Sequence, residues 1–277
     1  MTPYLSLEHP VRLAHRGSRI LWPENTEFAF GGAVDMGYRY IETDVRITAD
    51  GVVVVFHDAT LDRLTNGRGR VDQWRWEDLR HLDAAWSFRP EQGYPLRATG
   101  IGIPRLDEVL ANWPDTHFNI DLKQNGLEWP VAEVITLGGR RRSVLVGAFS
   151  DRRVARFRRI TRDEVATAAG PRAALAMWGK AHTRPGSGQA KRRAKRSHFA
   201  AFQVPYDRRP FRIDGRFVEA IHSARAQIHV WTVNDPVAMN RLLDVGVDGI
   251  VTDRPDLLDK VLLTRAGATG SRPAPDA

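Results

Sequence analysis

Apolar residues along the chain gather in short runs separated by stretches of helical spacing. The runs 11–15 (VRLAH), 40–45 (YIETDV), 118–122 (FNIDL), 144–149 (VLVGAF), 165–169 (VATAA), 200–204 (AAFQV), 228–233 (IHVWTV) and 249–252 (GIVT) include the β-branched and aromatic residues that suit strands. Between most of them the apolar positions recur every three or four residues, which predicts helices over 25–36, 106–112, 153–160, 216–225 and 236–245. Asn25 is placed to cap the first helix and Gly37 to stop it; Glu24 and Asn25 are also near enough to the strand ends to touch a site there, but the cap is sufficient explanation for Asn25. A further run, 52–56 (VVVVF), follows the turn Ala49-Asp50-Gly51 directly, which predicts a hairpin strand.

Strands alternating with helices imply parallel βαβ units, and eight of them, leaving out the hairpin strand, imply a closed TIM (β/α)8 barrel of the α/β class. The rival is an open doubly wound sheet, but no Gly-x-Gly-x-x-Gly follows the first strand. Residues 58–102, rich in Trp, Arg and Asp, are too many for an ordinary barrel loop. They predict an inserted subdomain at the barrel mouth, within a barrel unit spanning 11–262. The Gly, Ala and Pro of 265–277 predict a disordered tail.

Composition narrows the class. A chain of 277 residues with 42% hydrophobic content can bury a substantial core. The absence of cysteine excludes disulfides, thiolate metal sites and a cysteine nucleophile. The opening MTPYLSLEHPVRLAHRG lacks the basic and apolar regions of a secretory signal, and no run approaches the ~18 apolar residues of a membrane span. The expectation is a soluble, cytoplasmic protein. The net charge of +8 sits in clusters at 140–142, 152–162 and 180–196, read as solvated helix faces and a mobile loop. Nothing resembles a zinc finger, an RNP sequence or a basic zipper, so no nucleic-acid partner is expected.

In such a barrel the chemistry sits at the C-terminal ends of the strands. There the chain places His15 and Arg16, then Glu42 and Asp44, then His57 and Asp58 after the hairpin strand, then Asp121 and Lys123, and Trp231 and Asn234. Residues two apart on a strand face the same side, so Glu42 and Asp44 form one pair and Asp121 and Lys123 another. Three inward carboxylates are costly without a cation and suit Mg²⁺ or Ca²⁺, although pairing with arginines also satisfies them. His15 and His57 are candidates for acid–base work, Arg16 offers phosphate a planar fork, and Lys123 offers a point charge. Trp231 either walls a pocket or packs in the barrel top. Asp58 is read as orienting a neighbour. Asp253 is read as a turn residue or as positioning the loop after it. The other seven histidines show no partner pattern.

The blocks His15-Arg16-Gly17, Pro23-Glu24-Asn25-Thr26, Glu42-Thr43-Asp44-Val45, Thr48-Ala49-Asp50-Gly51 and His57-Asp58, in that order, closely resemble the signature of the glycerophosphodiester phosphodiesterases. Later blocks are similar too: Asn119-Ile120-Asp121-Leu122-Lys123, Trp231-Thr232-Val233-Asn234 and 249–255 (GIVTDRP). The resemblance runs from Arg12 to about Leu258. It implies a TIM barrel with an insertion after the hairpin strand. It implies His15 and His57 as the acid–base pair, Glu42, Asp44 and Asp121 around a divalent metal, and Arg16 and Lys123 on the phosphate. The third metal carboxylate of the family is usually Glu. The Asp121 found here is similar to the phospholipase D-type toxins of the same superfamily.

The implied reaction is metal-dependent hydrolysis of glycerophosphodiesters to sn-glycerol 3-phosphate and an alcohol. Two alternatives stand beside it. One is a lysophospholipase D-type enzyme in transient contact with a membrane surface, where the basic residues of 191–196 would meet anionic headgroups. The other is a non-catalytic barrel that binds a phosphate ligand. The sequence leaves the oligomeric state open.

Overall fold

A computed structural model describes residues 3–183, 197–206 and 211–270. Nine strands follow in chain order: β1 (Val11–His15), β2 (Tyr40–Ile47), β3 (Val53–Val55), β4 (His117–Leu122), β5 (Val144–Gly147), β6 (Ala166–Thr167), β7 (Ala201–Pro205), β8 (Gln227–Trp231) and β9 (Gly249–Thr252). The sheet order is β6-β5-β4-β2-β1-β9-β8-β7, with every neighbour parallel. Only β3 is antiparallel, as the hairpin partner of β2. The two ends of this order meet. Ala168 bridges Ala201, the Ala169 N–H donates to Ala201 O at 2.9 Å, and the Ala200 N–H donates to Thr167 O at 2.9 Å. Eight parallel strands thus form a nearly closed barrel, the predicted fold.

Helices α1 (Glu27–Asp35), α3 (Leu106–Asn112), α4 (Glu128–Leu137), α5 (Asp151–Ile160), α6 (Pro171–His182), α7 (Gly215–Ser223), α8 (Pro236–Asp244) and α9 (Pro255–Gly270) pack outside the strands; α2 (Trp76–Leu79) belongs to the insertion. The pattern anticipated α1, α3, α5, α7 and α8 but named no helix over α4, α6 or α9. Each of these three carries proline in its first turn (Pro130, Pro171, Pro255), where a missing N–H costs nothing because that donor has no helical partner. The first helix also starts later than expected. Thr26 is its cap, its Oγ1 accepting from the Ala29 N–H at 3.1 Å, while Asn25 stands at φ 58° and turns its side chain elsewhere. Helix α9 runs through 265–270, part of the expected tail; 271–277 lie outside the described residues, as does the basic stretch 184–196.

The barrel interior explains where the polar side chains go. Along each strand alternate residues point inward. The lower inward positions are apolar: Val11, Leu13, Tyr40, Leu145, Ala201 and Val251 pack together. Tyr4 and Leu5, from a short 3-10 turn at the N-terminus, join the same cluster and close the barrel bottom. The next inward positions upward are His15, Glu42, Asp44, Asn119 and Asp121, which line a cavity at the top. Outward-facing residues form two larger clusters under the helices, one beneath α1, α3, α4 and α5 and one beneath α6 to α9. A Leu-to-Ala change in either would cost roughly 2–5 kcal/mol.

The insertion at 58–102 has its own small core, in which Leu61, Val71, Leu79 and Ala84 pack on Val54, Phe56 and Ile103. It is tied to the loop after β1 by the Arg89 guanidinium, which donates to Ile20 O at 3.0 Å. No helix among the described residues is long and apolar enough to cross a membrane.

Candidate active site

Strand register builds the site. His15 on β1 stands beside Glu42 on β2, which stands beside Asn119 on β4. One inward step higher, Asp44 stands beside Asp121, which stands beside Gly147 on β5. The chain then turns sharply after β1. Gly17 takes φ +79°, and a Cβ there would lie 2.7 Å from the Ala29 Cβ and 2.8 Å from its carbonyl carbon, so only glycine lets the turn lie against α1. Arg16, itself left-handed at φ 53°, is held by its N–H donating to Glu42 O at 2.8 Å. The hairpin places His57: the Phe56 N–H donates to Asp44 O at 2.9 Å, and the Arg46 guanidinium donates twice to His57 O, at 2.9 and 2.7 Å.

Each histidine is held by a carboxylate. His15 Nδ1 is 2.6 Å from Asp253 Oδ1, and His57 Nδ1 is 2.6 Å from Asp58 Oδ1. An ionised carboxylate only accepts, so each Nδ1 carries the proton and each Nε2 is left for chemistry. His15 Nε2 lies 3.7 Å from Glu42 Oε2. Asp253 is fully buried; its Oδ2 also accepts from Asn234 Nδ2 and from Arg19 Nε, each at 2.9 Å. Burial alone would raise its carboxyl, but the bond to His15, with Asn234 and Arg19, outweighs burial and brings it down to about 2. Asp58 reaches about 2 in the same way, through Arg63 and His57 against burial. Burial pushes the His57 imidazole below its usual value; Arg16 and Lys123 add to that, and Asp44 opposes it.

The carboxylates and cations interlock. Arg16 donates from Nη1 to Glu24 Oε1 at 2.8 Å and pairs its Nε with Asp44 Oδ2 at 3.0 Å. Lys123 Nζ lies 2.8 Å from Asp44 Oδ1 and 2.6 Å from Asp121 Oδ2. Asn25 Nδ2 donates to Asp44 Oδ2 at 2.9 Å, while its Oδ1 accepts from Thr43 Oγ1 at 2.8 Å. Burial, reinforced by Asp44, pushes the Glu42 carboxyl up to about 7. The same burial acts on Asp44, but Lys123 and Arg16 outweigh it and hold that carboxyl well below the ordinary range. Lys123 is in turn brought up to about 12, the attraction of Asp44 and Asp121 exceeding the effect of burial.

Among the described residues, no three acidic or histidine side chains already converge as a metal cradle, because Lys123 stands between Asp44 and Asp121. The donor chemistry nevertheless fits a hard cation. Asp121 Oδ1 and Asn119 Oδ1 are buried acceptors without a hydrogen-bond partner, and Glu42 is a buried carboxyl short of positive charge.

These groups line one cavity of about 390 Å³, well within the range of small-molecule sites. Its composition is lopsided. The ends of β1, β2 and β4 and the hairpin loop supply the charges, whereas β5 to β8 and the loops after them supply Ala148, Phe149, Ala169, Pro171, Phe211 and Trp231. Trp231 stands edge-on to Phe149, ring centres 5.4 Å apart, so it walls the cavity. The eight residues given catalytic, substrate or metal roles from the sequence (His15, Arg16, Glu42, Asp44, His57, Asp121, Lys123 and Trp231) all line this cavity, whereas Asp58 and Asn234, also singled out at the strand ends, stand behind it. The pattern missed Asp253 as the partner of His15, and Arg63; for Asn25 it preferred the helix cap to the contact with the site that the bond to Asp44 shows. For Asp253, its place at the end of the last barrel strand was the available signal.

Comparisons with known proteins give the family. Residues 15–257 match the model of the glycerophosphoryl diester phosphodiesterase family. The chain is 37% identical over 268 residues to the "Probable glycerophosphodiester phosphodiesterase 2" of Mycobacterium tuberculosis, covering 94% of each. It is 30% identical to a glycerophosphodiester phosphodiesterase of Caldanaerobacter subterraneus, covering 92% of this chain and 98% of that one. Its fold is similar to the crystal structure of the glycerophosphodiester phosphodiesterase of Agrobacterium tumefaciens, with a TM-score of 0.71 and 29% identity over 90% of this chain and 98% of the other. The protein is an enzyme of the glycerophosphodiester phosphodiesterase family.

Proposed function

We propose that the protein hydrolyses glycerophosphodiesters to sn-glycerol 3-phosphate and an alcohol, with His15 and His57 moving the protons. Glu42, Asp44 and Asp121 would hold a divalent cation, Mg²⁺ or Ca²⁺. The observation that carries this reading is the pairing in one cavity of two carboxylate-held imidazoles with a buried carboxylate and cation set. The cation, when bound, supplies positive charge to the phosphodiester oxygens. Arg16 and Lys123 bind the same oxygens and stabilise charge that builds in the transition state. His57, whose imidazole stays neutral at physiological pH, takes the proton of the attacking hydroxyl at Nε2. His15, flanked by Asp253 and Glu42, gives its Nε2 proton to the leaving alkoxide. A new P–O bond forms as the P–O bond to the alcohol breaks. Water serves as nucleophile directly; the glycerol 2-hydroxyl would instead give a cyclic phosphate that water then opens.

The test is glycerol 3-phosphate release from glycerophosphocholine, with EDTA and with each metal restored. His15→Ala and His57→Ala are measured alongside, with metal content checked. Metal-restored release that both variants lose supports the reading. Near-normal activity in both variants with metal bound would sink it.

A second reading is favoured by the apolar half of the cavity: a lysophospholipid whose chain lies along Phe149, Ala169, Pro171, Phe211 and Trp231. Higher turnover of micellar lysophosphatidylcholine than of glycerophosphocholine would establish it. The basic residues of 191–196, which the sequence offered for anionic headgroups, lie outside the described residues.

A further inference from the structure

We propose that Arg63, carried by the inserted segment, is a positioning residue that sets His57 and Arg16 together; the inference rests on the roles given to those two residues above. Its guanidinium uses all three nitrogens. Nε donates to Asp58 Oδ2 at 2.6 Å, Nη1 to Glu24 Oε2 at 3.1 Å and Nη2 to Glu24 Oε1 at 2.8 Å. Each carboxylate passes the constraint onward. Asp58 Oδ1 accepts from His57 Nδ1 at 2.6 Å, and Glu24 Oε1 accepts from Arg16 Nη1 at 2.8 Å.

One side chain therefore joins the loop after β1, which carries Arg16, to the hairpin end, which carries His57. Arg63 is not among the residues that line the cavity, so it acts through its two carboxylates and not on the substrate. The planar fork of arginine suits this task. A single ammonium cannot span a bidentate carboxylate on one edge and a second carboxylate at Nε. Glu24 is almost wholly buried, and without Arg63 it is left to Arg16 alone. Arg16 is then drawn to that carboxylate and away from phosphate. Asp58, freed on its Oδ2 side, no longer fixes which nitrogen of His57 bears the proton. The insertion is anchored for this purpose, with Ser87 Oγ donating to Arg63 O at 2.6 Å. It is thus a structural part of the site.

The test compares Arg63→Met, which keeps the stem, and Arg63→Lys, which keeps the charge, with Arg89→Met. The last cuts another tether between the insertion and the loop after β1 but touches no acid of the site. Three quantities are read on the full chain: the melting temperature, the Nδ1–H signal of His57 by NMR, and the calorimetric affinity for glycerol 3-phosphate. Arg63→Met is expected to lose the His57 Nδ1–H signal and to bind glycerol 3-phosphate about tenfold more weakly. Arg63→Lys should recover one arm only. Arg89→Met, at a similar loss of melting temperature, should keep both. An Arg63→Met variant with an intact His57 signal and wild-type affinity overturns the proposal, and loss of only one readout overturns it for the other arm. A wild-type protein that neither binds nor releases glycerol 3-phosphate sinks the reading of the reaction, while the His57 spectrum still decides the role of Arg63.

Discussion

Replacing Asp253 by asparagine changes almost no volume but removes a buried charge and inverts one edge of a hydrogen-bond array. In the native protein Oδ1 accepts from His15 Nδ1, and Oδ2 accepts from Asn234 Nδ2 and Arg19 Nε. An asparagine must place its amide nitrogen on one side or the other. Facing Asn234 and Arg19, it sets donors against donors. Facing His15, it donates to Nδ1, so that nitrogen can no longer carry a proton and the imidazolium from which Nε2 gives its proton loses its anionic acceptor. The native carboxyl sits at about 2, against an ordinary 3.8. At ~1.4 kcal/mol per tenfold step, that is roughly 2.5 kcal/mol of preference for the carboxylate. The sign follows from the depression: the stability is fully present above the ordinary value and is lost only as pH falls through about 2. At neutral pH the wild type holds all of it and Asp253→Asn holds none. We expect a stability loss of about 2–3 kcal/mol by denaturant unfolding, matching that preference. We expect kcat for glycerol 3-phosphate release to fall by roughly 10²–10⁴, as when an imidazole loses its orienting carboxylate. A variant that loses stability but keeps kcat within about threefold of wild type would refute the reasoning and make Asp253 purely structural.

Two further perturbations probe the carboxylates. Lys123→Met strips Asp44 and Asp121 of their shared ammonium and should cost the metal-free protein about 3–5 kcal/mol, with Mg²⁺ or Ca²⁺ restoring part of the lost melting temperature; an equal loss with and without metal would show that ion and ammonium do not share a place. Glu42, raised to about 7, carries its proton in the metal-free protein below neutrality, so the stability it contributes is present below its ordinary 4.5 and lost as pH rises through about 7. Metal uptake near pH 6 should therefore release on the order of one proton. Calorimetry in buffers of different ionisation heat reads that proton directly, and no buffer dependence would contradict the raised value.

The site was legible to the extent that period and strand ends carry information. Glu42 and Asp44 could be assigned to one face because strand side chains alternate. Asp121 and Lys123 followed by the same rule, and β2–β4 register then set Asp44 against Asp121. What spacing cannot show is which distant groups meet. Asp253 finds His15 only because β9 closes against β1, a contact spanning 238 positions. Asn25 misled for a different reason: its residue type suits a helix cap, and only the left-handed backbone at φ 58° sends its amide to Asp44 and leaves the cap to Thr26. Arg63 lies in a segment without periodicity, so nothing in its neighbours marked it. The two-residue length of β6 likewise escaped the run of small residues at 165–169, which reads as a longer strand.

The lopsided cavity has a consequence for descent. The charged groups of the cavity, with the histidines proposed to move protons, sit at the ends of β1, β2 and β4 and on the hairpin loop, whereas the apolar wall sits on β5 to β8, beside the seam where β6 and β7 are joined by a single bridge. Substitutions along that seam alter the shape offered to a new alcohol without disturbing a single ion pair of the reacting half. A barrel divided in this way lets one alcohol be exchanged for another by small steps while the charged half stays intact.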